Sequence, residues 1–475
     1  MQKVHLAWVI LIFTEFASLA EPATNAILSE AGNNNHVCPP QLASFADAKQ
    51  QQEQQLARLL HVPLPSEVKD FFKAAHQGDY PALSNIVARL GTQLFAGYDG
   101  FTNGLPAWLP FWQPMTEVES GYEPFVHGGN KYPLAFGEGI IQSIPAGSVY
   151  FGGTDGGRML VTALCASHAE GRPFYTLTQN ALADDRYVTY LRWMYGRAIN
   201  LPTTNEVNQV LEEYKADALL RLQHDEQFSN EPRQLAPGED VREVDGEVKM
   251  NGPVAVMAIS ARLVKWILDH NPSPQFYYEE SYPQPLLYPY LTPHALIFKL
   301  NHKPLSVLPA TDVDSDHAFW TRQCGKLLGD WLKPDTSISR MCSTLETLYR
   351  EKDLSGFTGE TEFLTNDFGP KAFSKLRVSI AGLYQWRLMN DASGRLSAEA
   401  DYAFRQAYAL CPTSPEATFR YVSFLMAQSR LDDAMLILRT TLTLTPADDH
   451  FYDQYESLMT QLKQYRNQSR AAAGN

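Results

Sequence analysis

The most constraining stretch of the sequence is a glycine-rich turn between a short strand and an apolar helix. It runs from Gly147 to Gly171 as GSVYFGGTDGGRMLVTALCASHAEG. β-branched and aromatic residues at 148–151 predict the strand, and the apolar pattern that opens at Arg158 predicts the helix. Four glycines in the six positions 152–157 allow positive φ, so backbone N–H groups and a helix N-terminus face the space above the strand. The pattern predicts a pocket there without indicating its chemistry.

Strand and helix continue to alternate beyond this turn. The predicted strands are 148–151, 174–177, 275–278 and 295–300, and the predicted helices between the first of them are 158–169 and 183–195. This order indicates an α/β fold with a mostly parallel sheet and flanking helices, followed by an all-α C-terminal region. Ligands of such sheets lie at the carboxyl ends of the strands. Between the strands, the acidic segment 230–251 is predicted to be a surface loop, and the aromatic-rich segment 97–133 to be irregular and to line a pocket or pack beneath loops.

The last hundred residues contain a repeat with an offset of 34 positions. It aligns Ala403 with Ile437, Phe404 with Leu438, and Tyr408 with Leu442. That period, with a proline just past each aligned helix, is typical of tetratricopeptide repeats and predicts that these six side chains are buried together. The predicted division is a signal peptide (1–20), a linker and helix (21–65), an α/β domain with an N-terminal helical hairpin (66–310), a helical connector (311–395), tetratricopeptide-like repeats (396–466) and a tail (467–475).

Composition and the first residues bear on compartment and partners. A net charge of −14 over 475 residues argues against a nucleic-acid surface. Lys3 and His5 precede a short apolar run, and Ser18 and Ala20 put small residues before Glu21, the pattern of a cleavable secretory signal. We therefore expect an extracytoplasmic protein, periplasmic or secreted, without stable membrane insertion after cleavage. An uncleaved anchor or a buried helix is the alternative for this run.

The five cysteines do not form a C-x-x-C motif. Cys165 and Cys411 lie in apolar helical patterns and are expected to be buried thiols. Cys324 and Cys342 lie on neighbouring predicted helices and are the pair considered for a disulfide.

The glycine turn approaches a phosphate-binding loop, with Gly152 and Gly157 at the required separation. Arg158 replaces the lysine and Met159 replaces the hydroxyl that would hold Mg²⁺, which excludes a nucleoside triphosphatase of that type. The turn is then either an anion-binding loop or a tight turn stabilised by local hydrogen bonds. The candidate ligand-binding residues are Gly153, Thr154, Asp155, Gly156, Gly157, Arg158, Asn180, Glu279 and Glu280.

Acidic residues raise two further hypotheses. Glu279 and Glu280 follow a predicted strand and could act as general acid or base with Asp155, although solvated loop residues are the favoured interpretation. The series Asp312, Asp314, Asp316 suggests a calcium loop but lacks its glycine and its bidentate glutamate, so helix-start acids explain it better. No metal and no cofactor are predicted.

A family resemblance adds to these patterns. The runs YFGGTDGGR…TLTQNALADDRYVTYLRWMYG (150–196) and FYYEESYP…LYPYLTPHALIFKLN (276–301) resemble the soluble extracytoplasmic portion of bacterial relatives of GT-C type protein O-mannosyltransferases, which often ends in tetratricopeptide-like helices. The resemblance covers about residues 105–445. The sequence contains no counterpart of the membrane-embedded catalytic portion, so the resemblance implies an accessory or recognition module more than a transferase.

Taken together, the sequence predicts a recognition or accessory protein. Its anion- or glycan-binding loop would lie at the sheet edge, its helical repeats would bind a partner, and the partner would be a protein or a glycan. The rivals are a carbohydrate-active enzyme, transferase or hydrolase, that uses Asp155, Arg158 and Glu279 or Glu280, and a structural envelope protein. Clustered acids that face the glycine loop would favour the enzyme, and exposed, diverging acids would favour binding. Whether the protein is an enzyme is left open by the sequence.

The signal prediction has a direct test. Expression through a Sec pathway should yield a chain that begins at Glu21, because small residues at 18 and 20 precede that position. Intact-mass analysis measures the N-terminus, and a product that retains Met1 would contradict the prediction.

Overall fold

The computed structural model describes residues 40–96, 107–153, 156–244, 246–388 and 394–473, with the backbone alone at 94–96, 156–158 and 468–473. The predicted signal peptide and Cys38 lie outside these residues. The described chain divides into two compact units. The N-terminal unit comprises residues 40–208 and 263–281, and the C-terminal unit comprises 209–262 and 282–473. The predicted α/β domain of residues 66–310 thus contributes to both units.

Helices predominate in both units. Those up to residue 270 are α1 (Pro40–Leu60), α2 (Ser66–Gln77), α3 (Tyr80–Ala96), α4 (Trp112–Gly128), α5 (Lys131–Ser143), α6 (Gly156–Leu164), α7 (Asp185–Tyr195), α8 (Thr204–Gln227) and α9 (Pro253–His270). Those after it are α10 (Ala310–Leu328), α11 (Ile338–Leu345), α12 (Thr361–Leu364), α13 (Gly369–Arg387), α14 (Arg395–Leu410), α15 (Pro415–Ala427), α16 (Leu431–Leu444) and α17 (Tyr452–Ala473). The strands are β1 (Val149–Gly152), β2 (Tyr175–Thr178), β3 (Asp240–Val244), β4 (Glu247–Asn251), β5 (Phe276–Tyr278), β6 (Leu291–His294) and β7 (Ile297–Leu300).

β1 is the central strand of the N-terminal unit. It pairs in parallel with β2 on one side and with β5 on the other, so that Val149 lies opposite both Tyr175 and Phe276. All four residues of β1 are buried, as expected for a parallel strand covered on both faces. The carboxyl ends of β1, β2 and β5 therefore meet at one edge.

Residues 297–300 of the predicted strand 295–300 form β7. β7 pairs with β6 in an antiparallel hairpin, with His294 opposite Ile297. The described strand pairings are therefore of both kinds, parallel among β1, β2 and β5 and antiparallel between β6 and β7. The connection is Ala295-Leu296, with Ala295 at φ +50°, and it lacks the Asn-Gly or Asp-Gly pair that marks such turns in a sequence. Pro293 inside β6 also argued against a strand.

Two segments predicted to be irregular contain regular structure. In the acidic segment, β3 and β4 form an antiparallel hairpin with Asp240 opposite Asn251, where the Asp-Gly pair at 245–246 was an overlooked hairpin signal. In the aromatic segment, residues 112–128 form α4 and residues 131–133 begin α5. Pro114 lies in the first turn of α4, where a backbone N–H would have no intrahelical acceptor, so the missing N–H of proline costs no hydrogen bond. Pro124 is tolerated inside the helix.

A buried ion pair organises the helices of the C-terminal unit. Arg377 on α13 donates Nη1 to Asp316 Oδ2 on α10 at 2.8 Å and Nε to Gln406 Oε1 on α14 at 2.8 Å. Tyr384 OH donates to the same Asp316 oxygen at 2.7 Å. Both charged side chains are almost fully buried, so three helices are joined by one polar cluster.

The acids of the 312–316 series lie at the start of α10 and on its buried face. Asp312 lies in the first turn of α10 and Asp316 is the buried partner of Arg377. Within the described ranges, no group of three or more His, Cys, Asp or Glu residues is placed to hold a metal ion.

The suggested disulfide between Cys324 and Cys342 is not formed, and both residues are free, buried thiols. Each lies on the buried face of its helix, α10 or α11. Burial raises the pKa of Cys324 to about 12 and that of Cys342 to about 11. Cys165 and Cys411 are also free, with Cys411 buried and Cys165 half-buried.

The terminal helices bury most of the predicted inner face. Five of its six side chains are buried and Leu442 is half-buried. The ring of Phe404 stacks on that of Tyr421, with centroids 5.6 Å apart, and its centroid lies 5.1 Å from that of Phe424. The assignment of these helices to tetratricopeptide repeats stays a prediction.

Phe404→Ala should lower the free energy of unfolding by about 3–5 kcal/mol, because it removes a fully buried ring and leaves a cavity. The control is Val307→Ala at an exposed position, which should change it by less than about 0.5 kcal/mol. Urea unfolding followed by circular dichroism measures both, and equal small losses would show that Phe404 does not support the core.

Candidate functional site

The predicted site at the sheet edge is a buried polar cluster in the N-terminal unit. Glu279, just after β5, accepts a hydrogen bond from Tyr150 OH at 2.6 Å and one from the backbone N–H of Gly153 at 3.4 Å. A Cβ at position 153 would come within 3.3 Å of Glu279 Oε1 and 3.1 Å of Ser281 Cβ. Glycine therefore lets the turn approach the acid closely.

Residues after β2 complete this cluster. Gln179 donates its side-chain amide to the carbonyl oxygen of Glu279 and accepts from Tyr278 OH at 2.5 Å. Asn180 Nδ2 donates to Ser281 Oγ at 3.1 Å. Side-chain amides and hydroxyls thus connect the residues that follow β2 with those at the end of β5, and these hydrogen bonds limit the movement of both loops.

The structure brings some of the predicted site residues together. Gly153, Asn180 and Glu279 lie in this cluster, and Gly156 and Gly157 begin α6. Thr154, Asp155 and the side chain of Arg158 lie outside what the structure describes, so the anion-binding loop stays a prediction.

The interpretation of Glu279 and Glu280 as solvated loop residues is wrong. Each is only 2% exposed. The sequence placed them correctly at a strand exit but gave no sign that β1, β2 and the following loops cover that exit.

A second polar cluster in the N-terminal unit was not predicted. Lys49 on α1 is completely buried, forms an ion pair with Glu117 on α4, and donates to Tyr190 OH on α7 at 2.7 Å. Glu53, one turn along α1, is also completely buried. Within the described part of the chain, neither of its carboxyl oxygens has a hydrogen-bond partner.

Burial sets the protonation of this cluster. Burial raises the pKa of Glu53 well above its ordinary value, although the charge of Lys49 acts to lower it. Burial also lowers the pKa of Lys49, although the charge of Glu117 acts to raise it. Burial and the charge of Lys49 lower the pKa of the nearby His168 well below its ordinary value. Glu53 and His168 are thus held neutral close to an ion pair.

A cavity of about 700 Å³ lies within the C-terminal unit. This volume suits a small-molecule ligand. Residues from α8, α9, the loop before β6, α13 and α15 surround it. Its aromatic and charged lining residues are Tyr214, Tyr282, Tyr288, Trp386, Phe424, Arg221, Arg262, Arg420, Asp217 and Glu239.

One wall of this aromatic cavity is a charged network around Tyr214. Arg221 donates from both Nη atoms to Glu239 at 2.6 and 2.8 Å, and Tyr214 OH donates to Glu239 at 2.5 Å. Burial would raise the pKa of Glu239, but hydrogen bonds from Arg221 and Tyr214 lower it below its ordinary value. Glu239 is therefore an anion whose charge is matched by Arg221.

Arg262 is held more loosely in the same wall. Its guanidinium lies 4.9 Å from the ring centroid of Tyr214, and Nη2 is 3.4 Å from Asp217 Oδ2. The side chain is 31% exposed. Its Nη1 also donates to the carbonyl oxygen of Ala258 at 3.2 Å, so a ligand that binds this cation competes with two long hydrogen bonds.

Another part of the cavity lining comes from α13 and the loop that it contacts. Trp386 meets Tyr288 edge to face, with centroids 5.6 Å apart. The next residue, Arg387, donates Nη2 to the carbonyl oxygens of Tyr288 and Pro289, both at 2.9 Å, and Nη1 to that of Leu305 at 2.5 Å. One guanidinium thereby holds the proline-rich loop against the helix.

Sequence reasoning missed the aromatic cavity because its lining comes from segments as far apart as residues 214 and 428. The rigid loop with Pro283, Pro285 and Pro289 was the available signal, since such loops often border sites.

In the described residues, no helix has the length and apolar character needed to cross a bilayer. Comparisons with protein-family models, with curated proteins and with solved structures give no match. The resemblance to the O-mannosyltransferase relatives stays a prediction.

Glu53→Gln should stabilise the protein at alkaline pH. The pKa of Glu53 is raised in the folded state, so above pH 4.5 the folded protein keeps a proton that the unfolded chain has lost. The free energy of unfolding therefore falls as the pH rises from 4.5 towards the pKa in the folded state. One such group contributes a slope of up to about 1.4 kcal/mol per pH unit, which the glutamine removes.

Denaturant unfolding of both proteins from pH 4 to pH 9 measures this slope. The control is Gln54→Glu, which adds a carboxylate on the exposed side of α1 and should change stability by less than about 0.5 kcal/mol. Identical pH profiles for Glu53→Gln and the unmodified protein would contradict the assignment.

Proposed function

We propose that the chain is an extracytoplasmic recognition protein that binds a glycan in the aromatic cavity of its C-terminal unit. The observation that carries the proposal is the set of five aromatic residues around one cavity of about 700 Å³. Aromatic rings offer flat apolar faces, and in Tyr and Trp also a polar edge, which matches the alternating apolar and hydroxylated surfaces of sugars. The volume accommodates a ligand of a few sugar rings.

The polar groups of the aromatic cavity favour binding over catalysis. Two lining acids, Asp217 and Glu239, both contact arginines, and Glu239 is kept ionised by its hydrogen bonds. Acid–base hydrolysis of a glycoside needs one carboxyl group that keeps its proton beside another that does not. Both carboxylates are instead held by arginines, which suits positioning of ligand hydroxyl groups.

A carbohydrate-active enzyme is the second candidate, and one contact favours it. Glu279 meets the glycine turn directly at Gly153, as an acid of a sheet-edge active site would. Its burial, however, gives a substrate no open approach to the carboxylate within the described residues. Release of reducing sugar from a polysaccharide that is abolished in Glu279→Gln would establish the enzyme and displace the recognition role.

The remaining parts of the proposal rest on the sequence. The secretory signal before Glu21 supports the extracytoplasmic location, and the resemblance to the soluble portion of O-mannosyltransferase relatives supports an accessory role beside glycans or glycosylated polypeptides. The 34-residue repeat supports a partner-binding role for α14–α17. A structural envelope protein remains the third candidate and would bind no sugar.

Trp386→Leu should weaken glycan binding about fivefold, because one stacking ring contributes on the order of 1 kcal/mol. A glycan array selects the ligand and calorimetry measures its Kd. The control is Trp266→Leu, which removes a similarly half-buried tryptophan that does not line the aromatic cavity. The proposal fails if the array reveals no glycan, or if both variants bind as the unmodified protein does.

A further inference from the structure

The aromatic cavity has a charge opposite to that of the chain. Its lining contains three arginines, Arg221, Arg262 and Arg420, and two acids, Asp217 and Glu239, which leaves an excess of one positive charge. The whole sequence has a net charge of −14. A local positive excess inside an acidic protein is a feature expected of a site for an anionic ligand.

Arg420 on α15 is positioned by a glycine on α13. A Cβ at position 382 would lie 1.6 Å from Arg420 Nη2 and 2.8 Å from its Cζ, so the guanidinium occupies the space that any other residue at 382 would fill. Arg420 Nη1 also donates to Glu416 Oε1 at 3.1 Å, and Glu416 in turn attracts Lys375. One carboxylate thus serves two cations, and the orientation of Arg420 is set by Gly382 on one side and Glu416 on the other.

Arg262 also lines the aromatic cavity. It is more exposed than Arg420, and its hydrogen bonds to Ala258 O and Asp217 Oδ2 are long, at 3.2 and 3.4 Å. A guanidinium binds a carboxylate through two parallel N–H groups, a geometry that a lysine cannot reproduce. The excess of a single charge matches a carboxylate better than a doubly charged phosphate.

We propose that the ligand of the aromatic cavity is an acidic glycan whose carboxylate is bound by Arg420 and Arg262, and that Gly382 determines this specificity by admitting the guanidinium of Arg420. The inference rests on the proposed function, since it names the class of glycan that the same cavity binds. Aromatic stacking would provide affinity for any sugar of suitable size, and the arginines would select the acid.

Matched pairs of disaccharides test the inference, namely one ending in glucose and one in glucuronate, and one ending in galactose and one in galacturonate. The members of a pair differ only in the carboxylate. Calorimetry on the full chain should give a Kd about tenfold to a hundredfold lower for the acidic member, the range for a charge-assisted hydrogen-bonded pair.

Gly382→Ala should abolish this preference, because the new methyl group displaces the end of the flexible Arg420 side chain. Arg420→Gln should abolish it independently, which keeps the test decisive if one variant folds poorly. The control is Gly325→Ala on α10, where a Cβ would meet only Asp330 Oδ1 at 3.4 Å, and which should keep the preference and a Tm within about 5 °C.

The possible outcomes separate the two proposals. If the acidic and neutral members bind equally well to the unmodified protein, the acidic specificity is wrong and glycan recognition stands. If folded Gly382→Ala and Arg420→Gln both keep the preference, the role of this pair is wrong. If no disaccharide binds, glycan recognition in the aromatic cavity fails, and the acidic specificity fails with it.

Discussion

The C-terminal unit depends on the buried ion pair between Arg377 and Asp316. Removing one partner of such a pair leaves an uncompensated buried charge, at a cost of about 3–5 kcal/mol, so the two helices that carry them cannot shift independently. α13 also carries Gly382 and Trp386, which line the aromatic cavity one to three turns further along. The helix that this ion pair anchors is therefore the one that carries Gly382 and Trp386, which gives the aromatic cavity a preformed wall.

The N-terminal unit uses buried charge in a different way. There, Lys49 and Glu117 form the pair, and Glu53 is an additional acid that burial keeps neutral. The buried carboxyl group of Glu53 does not stabilise the fold by itself, because the free-energy cost of its desolvation exceeds the favourable interaction with Lys49. The cluster instead makes the stability of this unit depend on pH, whereas the contacts of Glu279 with Tyr150 and Gly153 fix the strand ends.

Local patterns account for what the sequence predicted well. β1 and β2 were placed within one residue because each is a short β-branched and aromatic run beside glycine or proline, and the meeting of Gly153 with Glu279 follows from parallel strands ending at one edge. Features that depend on distant residues were not predictable. The antiparallel β6 has a turn without a glycine signal, the burial of Glu279 and Glu280 needs the covering loops, and the aromatic cavity joins segments that no local pattern connects.

The contacts of Arg387 have a consequence for the order of events during synthesis. Pro283, Pro285 and Pro289 lack N–H groups, so the loop that carries Tyr288 has few backbone donors of its own. The carbonyl groups of Tyr288, Pro289 and Leu305 instead accept hydrogen bonds from the guanidinium of Arg387, which lies up to 99 residues later in the chain. On the ribosome, this loop is therefore made well before its donor, and the aromatic cavity cannot be closed until residue 387 has emerged and α13 has docked. A chain that ends before that residue would carry Tyr282 and Tyr288 without the guanidinium that binds their loop.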